Sequence, residues 1–321
     1  MYDAAWSKME QKQFKESEKL FASLMAKFPE HELAKKSKVG RGASLRKTGN
    51  AEASLAQLKE FLKTSDPSGT ERTKAMFEIG LNQVELKKWD DAIGTFKMLL
   101  AEDAQSPKID RYYYELAWAY DANNNRKAAL EYFAKIVNEK PDSPRAGESN
   151  FHLGTDAYEA EEYDKAIDFY QKCVDSNATD SVREKAAYKH AWANYKQEKY
   201  DAAHKSFSNQ VTKFSEGTRK ADGMFIVAES LFRMKKPAEA FQANTKCKPV
   251  VDASETIEPK IKWLTMLHGA QSANDVAVKK YDEAIKLASG MENSEADITF
   301  KQDAWLEIGH AYNGKKQTEQ P

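Results

Sequence analysis

A residue no larger than alanine or serine recurs along this chain at a nearly fixed interval, and that recurrence limits the fold more than any other feature. Ala5, Gly42, Gly80, Ala117, Gly154, Ala191, Ala228, Ser272 and Gly309 follow one another at steps of 37, 38, 37, 37, 37, 37, 44 and 37 residues. Twelve residues after each of the first eight lies a second small residue: Ser17, Ser54, Ala92, Ala129, Ala166, Ala203, Ala240 and Ala284. Aromatic residues flank many of the second set, as in Phe14…Ser17…Phe21, Trp89…Ala92…Phe96, Tyr163…Ala166…Tyr170 and Tyr200…Ala203…Phe207, with a weaker copy at Tyr281…Ala284…Ala288. A fixed period of this length marks stacked supersecondary units. Two antiparallel helices joined by a short turn place one small residue from each where they cross closest, because a larger side chain would hold them apart. One such hairpin cannot bury its apolar face alone, so neighbours stack into an array with a continuous core.

Composition is consistent with such an array. The 321 residues are 41% hydrophobic and 31% charged, and no stretch approaches the ~18 uninterrupted apolar residues of a membrane span. The first residues show no basic end followed by an apolar block, so no secretory signal is visible. A net charge of −1 lacks the basic excess that neutralises phosphates, and no nucleic-acid partner is expected. Cys173 and Cys247 occupy the same place in second helices two units apart. Stacked helices of ~10 Å diameter separate them by roughly 20 Å, well beyond the ~7 Å Cα limit of a disulfide. Two separate, reduced and mostly buried thiols are expected.

The repeat resembles the tetratricopeptide repeat (TPR) family. Its first-helix signature, W-x-x-L-G-x-x-Y, is matched by Trp305-Leu306-Glu307-Ile308-Gly309-His310-Ala311-Tyr312, with Ile308 in place of Leu. Tyr113…Leu116-Ala117…Tyr120 is a second copy, and Ala129, Phe133 and the closing Pro141 match the second helix; Pro29 closes the first unit similarly. The resemblance implies an all-α, right-handed α-solenoid of about eight to nine TPR-like helix–turn–helix repeats of period 37. The family's usual period is about 34, so loops such as Lys140-Pro141-Asp142-Ser143-Pro144-Arg145 carry the added residues. The long period, with lead-ins such as Phe151-His152-Leu153-Gly154, is similar to the bacterial envelope subgroup. That subgroup includes the lipoprotein of the outer-membrane β-barrel assembly machinery and the Tol–Pal-associated cell-division coordinator. This favours the periplasm or cell envelope over the cytoplasm.

The array departs from its pattern at the step of 44, where Pro249 and Pro259 bound a stretch of little periodicity. The expected organisation is seven tandem repeats over 1–247, a loop or hinge over 248–262, and a C-terminal repeat plus a final single helix over 263–321. The tail after Tyr312 is too short and polar for a second helix. Trp305, Ile308 and Tyr312 share a face of the final helix. Either that helix caps the array or the chain is a segment of a longer one, and the segment is the favoured expectation.

No motif for chemistry emerges. The histidines, His31, His152, His190, His204, His268 and His310, include no H-x-x-x-H pair with an adjacent Glu. His190 precedes the small Ala191 and reads as a core residue. No phosphate-binding loop or G-x-S-x-G elbow occurs. Asp90-Asp91 and Glu161-Glu162 sit where second helices begin and complement the positive helix end. No enzymatic activity, cofactor or metal is expected.

In the TPR family the first helices line a concave wall, with residues three before, one after and four after the small residue on the groove-facing stripe. Mapped here, these positions give the expected partner-binding residues Tyr114, Trp118, Phe151, Tyr158, Tyr188, Trp192, Tyr195, Phe225 and Phe232. Lys185, Lys189, Lys196 and Arg233 add positive charge. Aromatics suit peptide hot spots, although the same residues three before the small one can instead pack between adjacent first helices. The Lys-and-Asn pair of the family's terminal-carboxylate clamps is absent. The resulting expectation is a scaffold that binds a protein or peptide segment along the concave face, in envelope assembly by the subgroup resemblance. The alternatives are a regulatory segment of a larger enzyme and a small-molecule or lipid-binding solenoid.

Overall fold

Eight of the small-residue pairs close helical hairpins: α1 (Tyr2–Glu10) with α2 (Phe14–Lys27), α3 (Glu32–Lys47) with α4 (Ala51–Thr64), α5 (Gly69–Glu85) with α6 (Trp89–Glu102), and α7 (Ile109–Ala122) with α8 (Arg126–Glu139). Then come α9 (Ala146–Glu159) with α10 (Tyr163–Val174), α11 (Asp180–Lys196) with α12 (Tyr200–Lys213), α13 (Lys220–Arg233) with α14 (Pro237–Ala253), and α15 (Pro259–Asn274) with α16 (Tyr281–Glu292). A further first helix, α17 (Ile298–Glu319), follows. The structure, a computed structural model, describes the backbone of residues 1–64, 69–292 and 294–319. Among these residues there is no β-strand, as the all-α expectation requires. The helices group into two compact units, residues 1–149 and 150–321, whose boundary falls within α9.

The crossings are as close as the register implies. Ser17 Oγ donates to the Ala5 carbonyl at 2.8 Å and Ser54 Oγ to the Gly42 carbonyl at 2.7 Å, so the paired small residues touch. In the first six hairpins a large residue four places after the second small one fills the space beside the contact; Asn244 and Ala288 take that place in the last two. A Cβ built on Gly42, Gly80 or Gly154 would stand 2.8, 2.5 or 2.9 Å from the side chains of Leu58, Phe96 and Tyr170, all fully buried. Successive hairpins engage through the same spot: Ser44 Oγ donates to Ser17 Oγ (3.1 Å) and Asn82 Nδ2 to Ser54 Oγ (2.9 Å). First helices also touch first helices, α1 to α3 to α5 to α7 in the first unit and α13 to α15 to α17 in the second.

Each hairpin turn has the same backbone solution. Seven residues after each upstream small residue the chain enters the left-handed region, at Lys12, Lys87, Asn124, Glu161, Glu198, Lys235 and Lys279 with φ of 53 to 61°, and at Gly49 with φ of 83°. The next N–H then bonds a carbonyl five residues back in seven of the eight turns, for example Lys88 to Gln83 and Glu162 to Ala157, both 2.8 Å. This is the closure of a helix C-terminus that satisfies its orphan carbonyls. A non-glycine residue there costs roughly 1–2 kcal/mol, and two packed helices offset it.

The insertion near residue 250 takes a different form from the expected 248–262 loop. α14 runs through Pro249 to Ala253, and Pro259 opens α15 at its first turn, leaving Ser254–Glu258 non-helical. Proline lacks an N–H and strains a helix interior by ~3 kcal/mol. Here Ala240, Asn244, Cys247 and Val251, all buried, form an unbroken stripe at three- and four-residue spacing that carries the helix past it. At position 259 the missing N–H is one that no helix would use. After Tyr312 the chain stays helical to Glu319 as part of α17; Gln320 and Pro321 lie outside the described residues.

Cys173 and Cys247 are both buried thiols outside any disulfide, and burial pushes the Cys247 thiol up to about 12. A buried thiol that stays protonated is unreactive. A thiol-specific reagent should therefore label neither cysteine in the native protein and both in urea. Gly80→Ala should lower stability in urea unfolding by about 1–3 kcal/mol, the cost of overpacking a filled site, because Phe96 has no space into which to retreat.

Candidate functional site

The aromatic residues of the first helices form a repeated cluster before they form a surface. Three residues before the small one, Tyr2, Phe77, Tyr114, Phe151 and Tyr188 each pack on the large residue of their own second helix (Phe21, Phe96, Phe133, Tyr170 and Phe207), with ring centroids 5.8 to 6.3 Å apart. Where the residue after the small one is Trp, it packs on the same ring: Trp6 on Phe21 at 5.4 Å, Trp118 on Phe133 at 6.1 Å and Trp192 on Phe207 at 5.9 Å, all edge to face. The indoles of Trp118 and Trp192 also meet the rings of Tyr114 and Tyr188 edge to face, with centroids 6.2 Å apart in both hairpins. Packing within the hairpin is thus the primary role of these residues. Tyr114 and Trp118 in the first unit, and Phe151, Tyr188 and Trp192 in the second, remain half-buried. Phe225 does not: it is 6% exposed, packed in the core with Ile226, Cys247 and Val251. Its expected place on the binding wall is corrected accordingly.

The residues four after the small one lie nearer solvent. Tyr158 and Tyr195 pack on Tyr163 and Tyr200, the residues that open their second helices, at 5.5 and 5.4 Å. Phe232 stacks flat on His268 at 4.4 Å. Cations of the following hairpin cover several of these rings: Arg111 over Phe77 (4.2 Å), Arg145 over Tyr114 (5.6 Å), Lys189 over Tyr158 (4.8 Å) and Arg219 over Tyr188 (5.4 Å). Such contacts are worth ~0.5–2 kcal/mol each and tie neighbouring first helices together. Burial and the bond donated to Glu148 Oε2 at 2.7 Å push the Tyr114 hydroxyl strongly up.

The first unit also holds a groove of about 550 Å³ on this face. Trp6, Val39, Phe77 and Leu81 give it an apolar floor, and Lys47, Lys74, Lys108 and Arg111 contribute positive charge. Glu78 is engaged by Arg46 at 3.2 Å, and burial pushes the Glu115 carboxyl up, against the pull of Arg111, Arg145 and Arg46. Reasoning from aromatics alone missed this groove. Its signal is the basic residue six before the small one at Lys74 and Arg111.

A second missed cluster lies in the second unit. Glu229 takes the position that Trp holds in three other hairpins, and it is 4% exposed. His268 Nδ1 of α15 stands 2.5 Å from Glu229 Oε2, Arg233 Nε donates to Oε1 at 2.7 Å, and the Tyr195 hydroxyl donates to Oε1 at 3.2 Å. Burial alone would push the Glu229 carboxyl up. The hydrogen bonds and charges of His268 and Arg233 hold it below the usual carboxylate range. By contrast, His190, expected in the core, is half-buried, and burial lowers its pKa. Because the folded pKa of Glu229 is depressed, its stabilisation is present above the unfolded value of about 4.3 and is lost as pH falls through the folded value. Removing one partner of a buried pair costs about 3–5 kcal/mol. His268→Ala should therefore destabilise by that order in urea unfolding at pH 6, with the gap to the parent narrowing by pH 3.

Profiles of the tetratricopeptide repeat match the sequence, one over residues 77–144 and again over 114–181, another over 1–31. No curated protein sequence matches it. Among solved structures, the C-terminal part of a TPR repeat-containing protein from Cytophaga hutchinsonii is 14% identical with a TM-score of 0.59, the match covering 81% of this chain and 98% of that one. RapI in its apo form is 10% identical with a TM-score of 0.59, over 99% of this chain and 98% of that one. These two likenesses bear on the fold. The profile matches mark tetratricopeptide repeats within residues 1–31 and 77–181, and the same helix–turn–helix register recurs in the hairpins outside those ranges.

Proposed function

We propose that the chain is a protein-interaction scaffold that holds a segment of a partner protein along its first-helix faces. The repeats themselves imply protein binding. The observation that carries the finer reading is the groove of the first unit, where an apolar floor of Trp6, Val39, Phe77 and Leu81 lies among Lys47, Lys74, Lys108 and Arg111. An apolar floor gives affinity and the surrounding cations give orientation and faster encounter. In the second unit the half-buried rings of Tyr158, Tyr188, Trp192 and Tyr195 support the same mode. The 37-residue period supports a cell-envelope setting for the partner, a refinement that cell fractionation tests.

Truncating the tryptophans is a poor test, because Trp118 and Trp192 also pack on Phe133 and Phe207, and loss of a packed Trp costs about 3–5 kcal/mol. Lys47 and Lys108 are exposed and better chosen. In affinity capture with the intact chain, Lys47→Glu/Lys108→Glu should release partners that the parent retains, with an unchanged thermal melt. Equal capture by parent and variant would move binding away from this groove.

A further inference from the structure

Seven residues after its downstream small residue, each second helix but one buries a hydrophobic side chain, such as Leu24, Leu99, Ile136 or Met291. The exception is Gln210 of α12. It is equally buried, at 1% exposed, and among the described residues neither its Nε2 nor its Oε1 has a hydrogen-bond partner. A buried amide left unpaired costs stability that an apolar residue of the same shape does not.

Gln210 is the most buried wall of a pocket of about 440 Å³ in the second unit, formed by α10, α11 and α12 and separate from the first-helix faces. The first unit has a groove of the same size at the same register, formed by α4, α5 and α6. Its walls include Leu62, Met76, Ile79 and Met98. The equivalent residues of the second unit are Val174, Ala187, His190 and Asn209. The groove itself comes with the repeat. Its polarity, including the stranded amide, belongs to this one hairpin.

The lining defines what fits. It carries one carboxylate, Asp175, and one ammonium, Lys213, so a net charge finds no counterpart. Asp175 is already engaged by Gln171 Nε2 at 2.7 Å, and Lys213 Nζ lies 5.8 Å over the Phe214 ring. Burial lowers the His190 pKa, so its ring enters neutral, with one donor and one acceptor. Val174, Ala187 and Phe214 give an apolar wall. Gln210 supplies a donor and an acceptor side by side. Its oxygen rests against Gly223 of α13, where a Cβ would stand 2.4 Å away. The terminal torsion of glutamine is broad, so the amide turns both atoms to the pocket at little cost. A carboxamide meets this pattern. One planar, neutral group accepts from Nε2 and donates to Oε1 at once, while a short methylene stem lies on the apolar wall. The volume is that of a small-ligand site.

We propose that this pocket binds a carboxamide, presented by a Gln or Asn side chain of a partner or by a small free amide. The isotope-labelled full chain is titrated with N-acetyl-L-glutamine methylamide and followed by NMR. Saturable shifts are expected, with N-acetyl-L-norleucine methylamide binding at least tenfold more weakly. Gln210→Met, which installs the residue that α16 has at this place, should weaken the glutamine probe at least tenfold and raise the thermal midpoint of the unliganded protein. Ala187→Met, which restores the Met76 side chain of the first unit, should weaken it as much and carries the test if the first variant does not fold. Free L-glutamine is the second arm: tighter binding of the capped probe assigns the carboxamide to a partner chain, and tighter binding of the free amino acid assigns it to a small molecule. Either result supports the site. Absence of saturable shifts overturns the proposal, and so does equal binding of the norleucine compound or binding that both variants leave unchanged. A lower thermal midpoint for Gln210→Met would show the amide to be satisfied within the fold and would overturn it as well.

Discussion

How closely two helices of a hairpin approach determines everything larger in this molecule. At the crossing one backbone lies against another, and the serine hydroxyls of Ser17 and Ser54 bond directly to the opposite helix's carbonyls. In the first six hairpins the space beside the crossing is filled by one large side chain from the second helix, Phe21, Leu58, Phe96, Phe133, Tyr170 or Phe207. The aromatic residues of the first helix then pack on that side chain. The hairpin is therefore organised outward from a pair of residues with almost no side chain. The bulky groups arrange themselves around the contact instead of forming it.

That origin explains what could be read from the sequence. Helical hairpins and their register follow from the small residues, because few side chains tolerate such proximity and the restriction leaves a visible mark at every repeat. The course of the chain around Pro249 was not legible. Proline and weak periodicity argue for a loop, but burial of Cys247 and Val251 on either side of it outweighs the local cost. Nor do the aromatic positions alone separate packing from recognition. Phe225 and Tyr188 occupy the same register, yet the first is enclosed and the second keeps an open edge. The Glu229–His268 pair joins residues 39 positions apart, and only the stacking of α13 and α15 brings them together.

Charge and apolar surface meet on the first-helix faces in two ways. In the first unit cations stand beside an apolar floor, and a partner segment has both affinity and orientation to gain there. In the second, much of the charge is spent internally, as Glu229 gathers His268, Arg233 and Tyr195 around one carboxylate. A cluster of that kind fixes the relation of neighbouring helices and leaves the rings beside it as the accessible material. The two faces thus present different chemistry on one repeated scaffold.

The left-handed residue in every turn bears on how a chain of this design can change its length. Its offset from the upstream small residue is seven in all eight hairpins, and the two small residues are always twelve apart. One added residue would rotate the second helix by about 100° and aim its small residue away from the crossing. From the downstream small residue to the next upstream one, however, the distance varies between 25 and 32. Insertions and deletions are therefore accommodated at the joints between hairpins, and natural recombination or deliberate splicing would be expected to succeed at those joints and fail within a hairpin.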